Sequence, residues 1–201
     1  MFMKINPLIV VALEEELGNK KLDDFDLLVT GIGKVNASLS LTLKLKNSSE
    51  NYNSIINFGT AGSNYLEPGS FVDCTKFIQR DMDCTPLGFP EFQTPFEDNI
   101  EINFYDYKNN FNPLNNNLTC YTGDSFVNQK KEYKGVFDME AYSLAKVSKF
   151  FNIPFISFKY ISDGADSNSS SDWNANISSG YQKFSQLVLE KIVQYNELNN
   201  Q

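Results

Sequence analysis

The stretch Val136-Phe137-Asp138-Met139-Glu140-Ala141 passes from a short apolar run through two acids into a pattern with helical spacing. Before the acids the residues favour a β-strand, and after them apolar or small residues recur three or four apart: Leu144, Val147, Ser148 and Phe151. Asp138 and Glu140 are therefore expected at the carboxyl end of a strand, where open α/β sheets bind ligands. Met139 would add an apolar surface suited to a sugar. Acids in the first turn of a helix also simply complement its dipole, so the hexapeptide alone leaves both interpretations open.

Length and charge bound the class of protein. The chain has 201 residues and a net charge of -8, which fits one domain over residues 1–201. Its negative charge disfavours nucleic acid and anionic membranes as partners, because both attract basic surfaces. The apolar run 7–13 is too short to span a membrane and lacks a signal-peptide cleavage site, so we expect a cytoplasmic protein.

The chain has no histidine and a single arginine, Arg80. Ser-His-Asp and Cys-His arrangements are therefore excluded, and acid–base chemistry falls to Asp, Glu, Lys, Tyr or Cys. One arginine cannot form a multi-arginine phosphate clamp within one chain. Cys74, Cys84 and Cys120 show no CxxC spacing, which fits reduced thiols and disfavours zinc. We expect neither a metal nor a cofactor.

Strand-like and helical patterns alternate along the chain, as in an α/β domain with a mostly parallel or mixed central sheet. Strands are predicted at 8–13, 26–30, 54–58, 71–79, 118–122, 136–137 and 154–161. The spacing of apolar residues from Ile177 to Tyr195 predicts an amphipathic helix. Loops are predicted at 80–90, with Phe89 exposed, and at 167–172; the Asn-rich segment 108–117 has no assigned role.

Two segments give conflicting signals. Residues 37–46 alternate apolar and polar, which predicts a strand, whereas the crossover to the next parallel strand requires a helix. The small residues 59–63, after the third strand, fit either a turn or backbone exposed to a ligand. Gly31-Ile32-Gly33 lacks the third glycine of GxGxxG, so a nicotinamide cofactor is not expected.

Five segments directly follow predicted strands: Glu16, Thr60-Ala61-Gly62, Phe126-Val127, Met139-Glu140 and Ser162-Asp163. In a parallel sheet such segments converge at one edge. Glu14 and Glu15 are expected in solvent, and the direction of Glu16 stays open. Together these segments would supply an aromatic face, an apolar floor, carboxylates and exposed backbone. That set of groups suits a nucleoside.

Six motifs carry a family resemblance: V-A-L-E-E-E-L at 11–17, G-I-G-K-V-N-A at 31–37, N-F-G-T-A-G at 57–62, T-G-D-S-F-V at 122–127, D-M-E-A at 138–141 and I-S-D-G-A-D at 161–166. In this order they resemble the methylthioadenosine/adenosylhomocysteine nucleosidases of the purine nucleoside phosphorylase superfamily. The resemblance implies an α/β domain with a mixed twisted sheet flanked by helices, and a usual dimer. It also implies a helix over 33–46 and a place in methionine salvage.

The resemblance also implies roles for residues. Asp163 would be the general acid that protonates the purine N7, with Ser162 beside it, and Glu16 would hold or activate the attacking water. The implied substrate contacts are Glu140 to the ribose hydroxyls, Met139 under the sugar, Phe126 stacked on the base and Val127 at its edge through backbone groups. Further implied substrate-binding positions are Thr60, Ala61, Gly62, Asp138, Leu13, Lys159, Phe89 and Trp173. Phe89 would reach a neighbouring subunit's site, and Trp173 would close over the same 5′ end.

The chain departs from the family pattern at several of these positions. Asp138 stands where Glu is more common, Lys159 replaces an Arg, and Trp173 replaces a Phe. Arg80-Asp81-Met82-Asp83 stands where a His-Asp pair is common, and Arg80 is expected either to pair with one of these acids or to meet an anionic group.

The resemblance, together with the acids at 14–16 and the single arginine, predicts hydrolysis of an adenine nucleoside whose 5′ group is neutral or a thioether. The predicted partners are this small molecule and a second copy of the chain. A purine nucleoside phosphorylase and a non-catalytic nucleoside-binding protein on the same fold are the alternatives.

Overall fold

The computed structural model describes residues 4–103, 111–128 and 131–199. In these ranges eight strands form one mixed sheet: β1 Pro7–Val11, β2 Asp26–Val29, β3 Ser54–Ser63, β4 Phe71–Gln79, β5 Glu101–Ile102, β6 Leu118–Thr122, β7 Val136–Asp138 and β8 Phe155–Asp163. β1 lies parallel between β2 and β3. β3, β8, β4, β6 and β7 pair in a closed circuit, with β3 pairing antiparallel to β7 and parallel to β8.

Helices cover both faces of the sheet. They are α1 Lys34–Asn47, α2 Ala141–Phe150, α3 Ser169–Asn176, α4 Tyr181–Phe184 and α5 Glu190–Leu198, with a π-helical turn at Ser185–Leu189. Single-turn 3₁₀ helices lie at Glu14–Leu17 and Thr85–Leu87. α1 and α2 pack on one face of the sheet and the C-terminal helices on the other, so alternate residues of β1 enter opposite cores. The expected mixed sheet with flanking helices is confirmed. No helix in the described ranges has the length and apolarity needed to cross a membrane.

Residues 34–47 form a helix, which settles the conflict between periodicity and topology in favour of topology. β2 and β3 both run parallel to β1, so the chain must cross over between them. The alternating apolar residues separate on the helix into two stripes with a spacing of four. Ala37 and Leu41 are buried against α2 and the sheet, whereas the second stripe is exposed: Val35, Leu39 and Leu43.

Several sequence predictions about element bounds are wrong. The third strand does not end at residue 58, because β3 continues through residues 59–63; of the two interpretations left open for these residues, the turn is thereby excluded. Residues 169–172, predicted as loop, open α3. The C-terminal helical segment begins at Tyr181 rather than Ile177, and a π-helical turn interrupts it. Phe89 is half-buried rather than exposed, because its ring packs edge-on against Phe96 with centroids 5.6 Å apart.

The described part of the Asn-rich segment is anchored to the sheet. The fully buried Asp73 carboxylate accepts hydrogen bonds from Asn112 Nδ2 at 2.8 Å and from the backbone N–H groups of Asn116 and Asn117 at 2.7 and 2.9 Å. Residues 108–110 of that segment lie outside the described residues. Three donors satisfy an otherwise costly buried carboxylate, so this part of the segment has a structural function.

Candidate active site

A cavity lies where the carboxyl ends of β1, β3, β7 and β8 meet. It is lined by twelve of the residues that the sequence analysis predicts to be catalytic or substrate-binding: Leu13, Glu16, Thr60, Ala61, Gly62, Phe126, Val127, Asp138, Met139, Glu140, Asp163 and Trp173. Six others complete the lining: Ala12, Ile32, Arg80, Ser125, Phe137 and Ala165. Ser162 and Lys159 are buried beside the cavity without lining it, and Phe89 lies outside the lining.

Glu16 faces inward from the 3₁₀ turn after β1 and is 4% exposed. Its Oε2 accepts hydrogen bonds from the backbone N–H groups of Ala12 at 3.0 Å and Leu13 at 3.3 Å. Its Oε1 accepts from the backbone N–H of Thr60 at 2.9 Å and from Thr60 Oγ1 at 3.2 Å. Four donors therefore hold one carboxylate at the cavity wall.

Burial raises the pKa of Glu16, although the hydrogen bonds from the backbone and the positive charge of Lys159 oppose the rise. A carboxylate with a raised pKa is a better proton acceptor than an ordinary surface glutamate. The position of Glu16 in the cavity wall and its raised pKa therefore suit a general base.

Asp163 ends β8 with its carboxylate in the cavity wall and is 4% exposed. Ser162 Oγ donates to its Oδ2 at 2.8 Å, and the backbone N–H of Ala165 donates to its Oδ1 at 3.0 Å. The second hydrogen bond closes an Asx turn. Asp163 therefore stabilises the end of β8 and also lines the cavity.

The small residues of β3 leave room for these two carboxylates. A Cβ atom at Gly59 would lie 2.9 Å from Glu16 Oε1, and one at Gly62 would lie 2.5 Å from Asp163 Oδ1. The pairing of β3 with β8 shifts register between Ala61 and Gly62, next to Asp163. Glycine is required here because the backbone and a carboxylate approach each other closely.

Lys159 and Asp138 form a fully buried ion pair beside the cavity. Lys159 Nζ lies 2.9 Å from Asp138 Oδ2, and the two side chains are 1% and 0% exposed. Asp138 also accepts from Thr122 Oγ1 at 2.6 Å and from the backbone N–H of Ala141 at 2.8 Å. Burial acts to raise the pKa of Asp138, but Lys159 and these hydrogen bonds hold it below its ordinary value. Burial alone would lower the pKa of Lys159, but the neighbouring acids, chiefly Asp138, raise it.

Glu140 lies at the start of α2, and its Oε1 accepts a hydrogen bond from the backbone N–H of Gly33 at 2.8 Å. Burial, followed by the negative charge of Asp138, raises the pKa of Glu140 to about 8 despite the opposing charge of Lys159. With its pKa raised in this way the carboxyl group can hold a proton near neutral pH, and in that form it donates one hydrogen bond as well as accepting others.

Backbone N–H groups at the start of α1 are occupied by the chain's own acids. Gly33 binds Glu140, while the backbone N–H of Lys34 donates to Asp124 Oδ1 at 2.9 Å. Lys34 Nζ pairs with both Asp81, at 2.5 Å, and Asp124, at 2.9 Å. The turn Gly31-Ile32-Gly33, which is not a dinucleotide-binding motif, thus positions the Glu140 side chain in the cavity wall.

Arg80 does not pair with Asp81 or Asp83 within the described residues, contrary to one of the two expectations from the sequence. Its guanidinium donates to the carbonyl groups of Gly123, at 3.0 Å, and Ser125. Asp81 pairs with Lys34 instead, and Asp83 accepts from Thr85. Arg80 therefore supports the loop that carries Phe126 and also lines the cavity.

Aromatic side chains form one end of the cavity. Phe126 is 43% exposed, and its ring lies edge-on to Trp173 with centroids 6.1 Å apart. Trp173 is half-buried on α3, and its Nε1 donates to Thr60 Oγ1 at 2.8 Å. An exposed aromatic face beside an apolar floor suits a flat heterocycle.

The sequence interpretation missed five lining residues: Ala12, Ile32, Ser125, Phe137 and Ala165. Ile32 lies between two glycines with positive φ, and this unusual turn was the available signal for backbone near the cavity. The described residues contain no group of three or more Cys, Asp or Glu side chains that could hold a metal ion. The arrangement places four buried carboxyl groups in the lining of an apolar cavity, those of Glu16, Asp138, Glu140 and Asp163, and Glu16 is suited to accept a proton.

A model of the phosphorylase superfamily matches residues 27–194. The 5′-methylthioadenosine/S-adenosylhomocysteine nucleosidase of Buchnera aphidicola subsp. Schizaphis graminum is 34% identical over 206 residues, covering 89% of this chain and 84% of that protein. The nucleosidase of Haemophilus influenzae strain PittEE is 30% identical, covering 90% and 85%.

Solved structures share the fold. The nucleosidase of Colwellia psychrerythraea, determined in complex with adenine, has a TM-score of 0.79 at 22% identity and covers 96% of both chains. A futalosine hydrolase mutant of Helicobacter pylori has a TM-score of 0.80 at 19% identity, covering 95% of this chain and 99% of that one. The chain belongs to the phosphorylase superfamily and, within it, to the family of the 5′-methylthioadenosine/S-adenosylhomocysteine nucleosidases.

Proposed function

We propose that the chain hydrolyses the N-glycosidic bond of adenine nucleosides such as 5′-methylthioadenosine or S-adenosylhomocysteine and releases the free base. The bond between C1′ and N9 breaks, and its electron pair passes to the purine as Asp163 gives a proton to N7. Water attacks C1′ and gives a proton to Glu16. One water is consumed, and both carboxyl groups return to their starting states by exchanging a proton with solvent.

The charges around the cavity support this reaction. As the bond lengthens, the ribose takes on oxocarbenium character, which nearby carboxylates stabilise, and protonation makes the purine a neutral leaving group. Glu140 would bind the ribose hydroxyls, Met139 would pack beneath the sugar, and Phe126 would stack on the base. The backbone of Val127 would recognise the edge of the base. Leu13, Ala61 and Gly62 would complete the walls.

One observation favours hydrolysis over phosphorolysis. The backbone N–H groups of Ala12, Leu13 and Thr60 all donate to Glu16, so the donors that could otherwise hold a phosphate are occupied by a carboxylate. The negative charge of the Glu16 carboxylate at that place also repels phosphate. Arg80, the single arginine of the chain, donates to the carbonyl groups of Gly123 and Ser125 instead.

The substrate assignment predicts a ranking of nucleosides. We expect adenine release from methylthioadenosine and adenosylhomocysteine to exceed release from adenosine, and AMP to be a poor substrate, because the aromatic end contributed by Trp173 favours an apolar 5′ group. Inosine carries the same 5′ hydroxyl as adenosine but a different base, so it tests the proposed preference for adenine. Chromatography of base released from each compound under identical conditions measures this. A strong preference for AMP or inosine would overturn the substrate and leave the hydrolytic reaction standing.

We further propose that residues 1–201 form one domain that acts as a homodimer in the cytoplasm. The exposed stripe of Val35, Leu39 and Leu43 on α1 supports a second copy as partner, since such a stripe is costly in water. The free thiols of Cys74, Cys84 and Cys120 fit a reducing compartment. Phe89 would reach the partner's 5′ pocket. Sedimentation velocity that found an active monomer at every concentration would remove both the dimer and this role.

A further inference from the structure

The indole of Trp173 is connected to Glu16 through one hydroxyl group. Trp173 Nε1 donates to Thr60 Oγ1 at 2.8 Å, and Thr60 Oγ1 lies 3.2 Å from Glu16 Oε1. An indole N–H can only donate, so the Thr60 oxygen must accept from it. The single hydroxyl proton of Thr60 is then left for Glu16. Trp173 thereby fixes which way the Thr60 hydroxyl points.

Helix α3, which carries Trp173, donates hydrogen bonds to three segments of the proposed active site. Asn176 Nδ2 donates to the carbonyl of Ser162, next to Asp163, at 3.2 Å. Ser169 Oγ donates to the carbonyl of Val127, which lies in the proposed base-binding segment, at 3.2 Å. Trp173 donates to Thr60, which holds Glu16. The eight-residue α3 therefore contacts the segments that would hold the purine, the general acid and the attacking water.

We infer that Trp173 is a positioning residue, which orients Glu16 through the Thr60 hydroxyl and so links the seating of α3 to the placement of the base that activates water. This role rests on the proposed function, because it assigns Glu16 to the attacking water. A phenylalanine at position 173 would preserve the edge contact with Phe126 but could not donate to Thr60. The backbone N–H of Thr60 would still hold Glu16 Oε1, so the hydrogen bond tunes the carboxylate rather than creating the site.

The kinetic test is a double-mutant cycle. Trp173→Phe is expected to lower kcat for methylthioadenosine about 3- to 10-fold with little change in KM, since one hydrogen bond of typical net strength is lost. Thr60→Val removes the shared hydroxyl and is expected to cost at least as much. In the Thr60→Val background, Trp173→Phe should then change kcat less than about twofold, because the connection is already broken. Tyr65→Phe, which removes the hydroxyl group of an aromatic side chain outside the cavity lining, is the control and should change neither constant.

A spectroscopic readout separates this role from mere packing. Trp173 is the only tryptophan, so the ¹⁵N-labelled protein gives one indole N–H resonance. That resonance should be slow to exchange with solvent in the wild-type protein and should move and exchange faster in Thr60→Val.

Three results would overturn the role of Trp173: unchanged kcat in Trp173→Phe, a full additional loss in the Thr60→Val background, or an indole resonance insensitive to Thr60→Val. Any of these beside an active wild-type enzyme leaves the proposed function intact. A wild-type protein that releases no base contradicts the proposed function itself, and the positioning role with it.

Discussion

Asp163→Asn is expected to lower kcat for base release by ~10²–10⁴-fold, the usual contribution of a general acid. Asparagine retains an oxygen that can accept from the Ala165 N–H, so the Asx turn at the end of β8 should survive and the protein should remain folded. Adenine binding, measured by calorimetry, should change little because the shape of the cavity is preserved.

The matched control for this substitution is Asp83→Asn. Asp83 accepts from the backbone N–H of Thr85 at 3.0 Å in the same kind of turn, but it lies outside the cavity lining. Base release by this variant should match the wild type. A loss smaller than about tenfold in Asp163→Asn would remove Asp163 from the acid role and leave it only the turn.

Lys159→Met is expected to destabilise the fold by about 3–5 kcal/mol, because it leaves Asp138 buried without its counter-ion. The free energy of unfolding, from urea titrations, measures this. In the double variant Lys159→Met/Asp138→Asn the uncompensated charge is absent, so it should be more stable than Lys159→Met alone.

The loss should depend on pH in a defined direction. In the wild type the pKa of Asp138 is lowered, so its ion pair contributes stability above the ordinary value of 3.8 that is lost as pH falls towards the folded-state pKa. Without Lys159 the folded-state pKa of Asp138 rises above that value, and folding takes up a proton. The loss of stability caused by Lys159→Met should therefore be smaller at pH 5 than at pH 8. Glu16 and Glu140 act in the same direction, because the charge of Lys159 lowers the pKa of both and its removal lets these pKa values rise further.

Lys146→Met controls for the loss of a lysine ion pair as such. Lys146 Nζ lies 2.5 Å from Glu97, with both side chains more than a third exposed, and surface pairs of this kind contribute about 0–1 kcal/mol. Equal losses for Lys159→Met and Lys146→Met would contradict the importance of burial for the Lys159 pair.

Most residues of the cavity lining could be found from the sequence because they lie at or just after the carboxyl end of a strand, whereas Trp173 lies on α3. Strand ends are read from short apolar runs, and parallel topology brings them to one edge of the sheet. This is how Glu16, Glu140 and Asp163 could be grouped before any coordinates. The covering helix α1 was ambiguous from periodicity alone, because its apolar residues form two stripes and only the stripe of Ala37 and Leu41 is buried.

Other features depend on contacts between segments distant in the chain. Gly59 and Gly62 were compatible with a turn, and only the positions of Glu16 and Asp163 explain why β3 needs glycine there. The partners of Arg80 are carbonyl groups of the loop 123–125, which no local pattern distinguishes from the adjacent acids. The hydrogen bond from Trp173 to Thr60 joins residues 113 positions apart, so the sequence indicated only an aromatic side chain near the cavity.

The most direct test of the central claim is the identity of the sugar released from methylthioadenosine in phosphate-free buffer. The proposed mechanism predicts that wild-type protein releases adenine and free methylthioribose, at a rate that added phosphate does not raise. Chromatography with mass detection distinguishes this sugar from its 1-phosphate. Adenine release that requires phosphate and yields the sugar 1-phosphate would contradict hydrolysis and identify the chain as a phosphorylase.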